Sequence, residues 1–133
     1  MDDTIGRAIL KVTEKNINSA LKSGATKILS CSILLGLMEE ASVNALSSTC
    51  FISDQNAISH YTSIDYLRPS KLGSTVTATA KIKNLDLRGV HLEIEARDEE
   101  GLIGVGKHTR VFIDQEEFER KCYEKYRNSL FKQ

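Results

Sequence analysis

The chain has no tryptophan, a single proline and only three cysteines in 133 residues. Cys31, Cys50 and Cys122 are odd in number and lie in neither CxxC nor Cys/His spacing, which reads as reduced thiols in the cytoplasm with no zinc site. Neither sign of charge prevails. Eighteen basic residues balance eighteen acidic ones, so no global field draws the protein to nucleic acid or to an anionic membrane. The start, "MDDTIGRAIL", is acidic and lacks the basic-then-apolar layout of a signal peptide. The most apolar run, around residue 35, is interrupted by two glutamates and falls short of a membrane span. Repeats, low-complexity segments and linkers are absent too. The expectation is one soluble cytoplasmic domain, residues 1–133, with a core of ordinary size.

What is present is concentrated in "SCSILLGLMEEASVNAL", residues 30–46. From Ile28 to Ile52 the only charged residues are Glu39 and Glu40. Leu34, Leu35, Leu37, Met38, Ala41, Ala45 and Leu46 cover most of a helical circumference, which predicts a helix over Ser32–Ser47 wrapped by other structure. Burying an unpartnered carboxylate costs several kcal/mol, comparable to the net stability of a domain. Neighbouring helical positions diverge by about 100°, so the two acids cannot share a direction. At least one must reach a gap, a partner or a cavity. An exposed or interface strip that sets the helix register is the plainer alternative, of equal weight on composition alone.

After Phe51 the period changes. "AISHYTSIDYL" is extended, "RPSKLGS" is a loop carrying the one proline, and "TVTATAKIKNL", "VHLEIEARD" and "LIGVGKHTRVFID" alternate as strands joined by short polar turns. That is an antiparallel meander with one apolar face. Ahead of the long helix, "GRAILKVTEKNINSALKSG" predicts a short strand and one or two helical turns, with Thr13 as cap and Gly24 as stop, and "ATKIL" a brief extended entry. The tail "QEEFERKCYEKYRNSLFKQ" predicts a helical extension over 114–133. Phe118, Cys122, Tyr126 and Leu130 recur there at four-residue steps, with acids in the first turn and bases in the last. The fold class is α+β, an antiparallel sheet wrapped around a long central helix. Its free sheet edges call for a second copy, hence a dimer.

The start of the long helix carries chemistry. Cys31 is flanked by two possible N-caps, Ser30 and Ser32. Unpaired amides at a helix start can hold a developing oxyanion, and the same field favours a thiolate. Free cysteine is also a common small core residue. Cys31 and Glu39 are eight residues apart, about 12 Å along the axis, too far for contact but within the span of one extended substrate.

"LSCSILLGLMEEAS", "SIDYLRPSKLGSTVTATAKI" and "EARDEEGLIGVGKHTRVFID" resemble, in order and spacing, successive motifs of the hotdog-fold thioesterases, and within them the fluoroacetyl-CoA thioesterase-like family. The likeness runs from about Val12 to Asp114. It implies the sheet-around-helix layout already deduced, a homodimer in which two dimers could associate further, and active sites at the interface. It also implies hydrolysis of acyl-CoA thioesters without metal or cofactor. Carried over by position, the family's hydroxyl residue at the helix start falls on Cys31, its helix glutamate on Glu39 and its strand histidine on Tyr66. A small glycine falls on Ser59 and an arginine on Arg110.

Two of these positions depart from the family. A thiol at a helix start is a competent nucleophile. A tyrosine titrates near pH 10, so Tyr66 suits an oxyanion donor better than a general base. His60, about 20 Å along an extended strand from Tyr66, reaches the substrate only if a bend or a second copy brings it there. His108 shares a strand face with Arg110, and His91 starts a strand; surface or structural roles rather than catalysis are expected for the three histidines. The function expected is hydrolysis of a small acyl thioester, with Cys31, Glu39 and Tyr66 catalytic and Ser59, His60 and Arg110 contacting substrate. The alternatives are a non-catalytic acyl-thioester binding protein, a hydratase or dehydratase of the same fold lacking its Asp/His pair, and a purely structural dimeric module.

Overall fold

The structure is a computed structural model that describes residues 4–47 and 57–131, with side chains as far as Glu124. Its elements in chain order are β1 (Ile5–Lys11), α1 (Cys31–Ser47), β2 (Ala57–Tyr66), β3 (Thr75–Leu85), β4 (Gly89–Asp98), β5 (Gly101–Phe112) and α2 (Gln115–Phe131). The five strands form one antiparallel sheet in the order β1-β3-β4-β5-β2, which curls around α1. This is the expected α+β hotdog layout, with the extra helix at its C-terminal end.

Alternation along the strands makes the core. Val76, Ala78 and Ala80 of β3 and Val90, Leu92, Ile94 and Ala96 of β4 point inward, against Leu34, Leu37, Met38, Ala41, Ala45 and Leu46 of α1. Burying each of the larger side chains stabilises the fold by roughly 1.5–3 kcal/mol. The helix lies mainly against β1 and β3. Close approach there depends on Gly6, where an added Cβ would sit 2.1 Å from the Ala45 amide nitrogen and 2.3 Å from the Ala41 carbonyl oxygen. Towards β5 the side chains of Leu34 and Met38 fill the space over Gly104, and Met38 that over Gly106.

The wrapping is less complete than the apolar pattern predicts. Cys31, Ser32, Gly36, Glu40, Asn44 and Ser47 are exposed and, at nearly four-residue steps, form one open stripe along α1. Glu40 belongs to that stripe. Glu39, one position back, is half-buried on the flank facing the sheet.

The predicted helical turns after β1 do not form a helix. Residues 14–23 fold as a series of tight turns, because asparagine side chains compete for the backbone. The Asn16 carboxamide accepts from the Thr13 amide at 2.7 Å and donates to the Lys11 carbonyl, while Asn18 donates to Thr26 Oγ1 at 2.8 Å. Ile17 then pairs with Leu29 in an isolated bridge. At the other end α2 begins with Glu116 and Glu117 as expected, but it runs on to Phe131 and its last turn holds no base. Phe118 and Cys122, the first two residues of its apolar row, are exposed. Cys50 and the segment "SSTCFISDQN" after its first residue lie outside the described residues. Among the described residues no helix is long and apolar enough to cross a membrane.

Replacing Gly6 by alanine drives a methyl into helix backbone that has no side chain to yield. The expected loss is about 3 kcal/mol or more of unfolding free energy, read from the urea midpoint at unchanged m-value.

Candidate active site

α1 begins where Ser30 caps it. The Ser32 amide donates to Ser30 Oγ at 3.3 Å and the Leu34 amide to the Ser30 carbonyl at 3.0 Å, while the two serine hydroxyls share a hydrogen bond of 2.9 Å. Cys31 is therefore the first helical residue, and its thiol is exposed at the positive end of a 17-residue helix.

Tyr66 reaches this helix start from the end of β2. Its hydroxyl donates to the Leu29 carbonyl at 2.9 Å and accepts from the Ser70 amide at 3.2 Å. Burial is the main reason its pKa is raised, and the Cys31 thiol is close enough to add to the effect. Tyr66 thus stays protonated at neutral pH with its one proton committed to a backbone carbonyl. It braces the approach to the helix, and the Leu29 amide closes the same junction on the Ser70 carbonyl at 2.8 Å.

The brace has its own anchor. Asp98, with a side chain only 1% exposed, pairs with Arg68 and accepts from Ser70 Oγ at 2.8 Å and from the Glu100 amide at 2.9 Å. Burial pushes the Asp98 pKa up, but the hydrogen bonds from Arg68, the Glu100 amide and Ser70 outweigh it and hold the carboxyl below its ordinary range.

A second cluster sits further along α1, where β5 and β2 face Glu39. His108 is 2% exposed, with Nδ1 at 3.0 Å from the Tyr61 carbonyl and 2.6 Å from Thr62 Oγ1. Its Nε2 lies 3.3 Å from Arg110 Nη1, and Arg110 Nη2 donates to the Ala57 carbonyl at 3.0 Å. Burial first, and the Arg110 charge second, lower the His108 pKa; the Tyr61 carbonyl and the Glu39 carboxylate pull the other way without prevailing. His108 is a neutral imidazole at pH 7.

The residues singled out in the sequence therefore fall into two groups. Cys31 and Tyr66 meet at the helix start, whereas Glu39 and Arg110 belong to the second cluster. Ser59 is registered opposite Arg110 but exposed, and His60 is the extra residue of a bulge between Ser59 and Tyr61, exposed on the outermost strand. His108 was expected to be structural or on the surface; it is buried against Arg110 within reach of the Glu39 charge. Its parity with Arg110 in "HTR" was legible, but its burial depends on the packing of β2 over β5.

A sheet curled around one long helix, with a half-buried carboxylate along that helix and a thiol at its start, defines a protein of the hotdog fold. The model of the fluoroacetyl-CoA-specific thioesterase family, FlK, matches residues 12–116. The chain belongs to that family. Among solved structures, a thioesterase superfamily member from Thermus thermophilus is 19% identical with a TM-score of 0.83, over 96% of each chain. The fluoroacetyl-CoA thioesterase FlK itself is 21% identical with a TM-score of 0.82, over 94% of this chain and 96% of that one. A hot-dog-like protein from Thermanaerovibrio acidaminovorans is 20% identical with a TM-score of 0.80, over 93% and 91%. At these identities the structural likeness speaks for the fold. A search of curated protein sequences finds no match.

Two measurements check the local roles. Tyr66→Phe removes a proton donor and an acceptor from half-buried backbone groups, so it should cost about 1–2 kcal/mol of unfolding free energy. Asp98 stabilises the fold above the unfolded carboxylate pKa of about 4, and that contribution disappears as pH falls through its lower folded value. Urea titrations from neutral pH downward should therefore show a steeper loss below about pH 4 in the wild type than in Asp98→Asn.

Proposed function

We propose that the protein hydrolyses a small acyl thioester, an acyl-CoA or a close relative, at sites shared between two copies of the chain. The observation that carries this reading is the half-buried Glu39, a carboxylate whose charge acts on the buried, neutral His108 while its neighbour Glu40 lies in solvent. A stability-driven core has no use for a half-buried acid there. Membership of a thioesterase family supports the reaction class.

Strand order supports the shared site. β2 is the outermost strand beside β5, with one hydrogen-bonding edge left over. Antiparallel pairing of β2 with its copy reverses direction, so the Tyr66 end of one strand lies beside the Ala57–Thr62 end of the other. Cys31 of one protomer then faces Glu39 and Arg110 of the partner subunit. Within one protomer the two groups stand about 12 Å apart along α1 and about 13 Å apart along β2 from Tyr66 to Thr62.

In this arrangement the first amides of α1 polarise the thioester carbonyl and stabilise the tetrahedral oxyanion. Glu39 takes a proton from the attacking water, the C–S bond breaks, and that proton passes to the leaving thiolate. Cys31 offers a second route, in which its thiolate attacks the carbonyl carbon, expels the CoA thiolate and is regenerated when water hydrolyses the acyl-cysteine. Tyr66 holds the helix start in place, and Arg110 orients the acyl end through its guanidinium.

One observation favours a second reading, a binding protein without turnover. The position that carries histidine in related sequences is Tyr66, whose proton is engaged by Leu29. Release of free thiol from acyl-CoA separates the two, since binding without any release over hours supports the binding protein.

For the thioesterase, Glu39→Gln should lower kcat by about 100-fold or more. Cys31→Ala separates the two routes: it is strongly impaired if turnover passes through the acyl-cysteine and near wild type if Glu39 alone activates water. Where both variants are impaired, mixing and reassociating them should recover about a quarter of wild-type activity, because half the dimers then carry one intact site. Full activity in Glu39→Gln, or no recovery in that mixture, would overturn the shared site.

A further inference from the structure

We infer that His108 is a positioning residue: its neutral imidazole, held from β2, fixes the direction of the Arg110 guanidinium in the Glu39 cluster. The inference rests on the reading of that cluster as part of the thioester site.

Hydrogen-bond chemistry sets the tautomer. The Tyr61 carbonyl can only accept, so the proton must be on Nδ1, where it is shared between that carbonyl at 3.0 Å and Thr62 Oγ1 at 2.6 Å. Arginine can only donate, so Nε2, 3.3 Å from Arg110 Nη1, must present its lone pair. Both constraints select the same form, Nδ1–H with Nε2 as acceptor. The opposite tautomer would set two donors against each other at Arg110 and two acceptors at Tyr61. An imidazolium would keep the bond to Tyr61 but place a second cation against the guanidinium. His108 holds Nη1 and the Ala57 carbonyl holds Nη2, two contacts from different strands that act together on the direction of the guanidinium.

The surroundings limit what else acts on the ring. β4 supplies the apolar Leu92 as its registered neighbour, and β2 the uncharged Thr62 and the Tyr61 carbonyl. Among the described residues, the charges acting on it are Arg110 from β5 and Glu39 from α1. The bulge at His60 belongs to this device, because it shifts the register so that Ser59 lies opposite Arg110 while Thr62 and Tyr61 still meet His108.

The test uses the intact wild-type chain and three variants, with acetyl-CoA binding read at equilibrium through its non-hydrolysable thioether analogue, so that it does not depend on turnover. Nitrogen-15 shifts of histidine-labelled wild type at pH 7 should show His108 protonated at Nδ1 and bare at Nε2, and Arg110→Ala should raise its pKa. His108→Leu, similar in bulk but unable to accept, should weaken acetyl-CoA binding about tenfold. His108→Gln should stay within about threefold of wild type, since a carboxamide can donate to Tyr61 and accept from Arg110. Wild-type binding should also fall on the acid side of His108's own titration, a limb absent in His108→Gln. A Nε2–H tautomer, or equal binding by His108→Leu and wild type, overturns the inference. A misfolded His108→Leu leaves the tautomer and His108→Gln arms to decide. The thioesterase reading fails differently: the wild type binds but releases no thiol, while the tautomer result stands.

Discussion

The seat of α1 on the sheet is the constraint from which the rest follows. Backbone meets backbone at Gly6, with Ala41 and Ala45 of the helix too close for any side chain between them. That contact sets the helix in depth, while Leu34 and Met38 over Gly104 and Gly106 set it in rotation. Once both are set, every other helical position has its direction assigned. Ser32, Gly36, Glu40 and Asn44 face outward, and Glu39 is turned about 100° from Glu40 towards β5. A slip of one residue would put Met38 or Glu40 in the place of Glu39 and turn every other position of the helix with it.

The two poles of α1 are built by different means. At the start, backbone geometry does the work: the Ser30 cap takes up the Ser32 amide and fixes the first turn, and a relay from Asp98 through Ser70 and Tyr66 to Leu29 keeps the incoming chain in place. Further along, side chains dominate, with His108, Arg110 and Glu39 balancing their charges at the edge of the core. The thioester hydrolysis proposed above would need both helix-start dipoles and a carboxylate of this kind. On that proposal the acid in the greasiest segment of the chain has a use.

Much of this was legible in the sequence because it depends on local periodicity. The alternation in "TVTATAKIKNL" and "VHLEIEARD" reads directly as strands, and the motifs around "LMEEA" and "GKHTRVFID" point to the family. The misreadings have a common origin. The turns at 14–23 are composed like a helix, but Asn16 and Asn18 find better partners in the loop than helical carbonyls would offer. The exposed stripe of α1 was hidden by Leu35 and by the scarcity of polar residues. The expectation for His108, a surface or structural role, is not among the misreadings; what the sequence left open was its burial, because nothing local shows that β2 will cover it.

The order of the residues by itself determined the elements, the single apolar face of the sheet and the helix cap, since each depends on neighbours within a turn or a strand pair. Tertiary packing decided which glutamate is sheltered, what Tyr66 holds and that His108 faces Arg110. Those outcomes depend on the depth and rotation of one helix against five strands, and contacts between residues as far apart as 37 and 46 positions carry no signature in any local window.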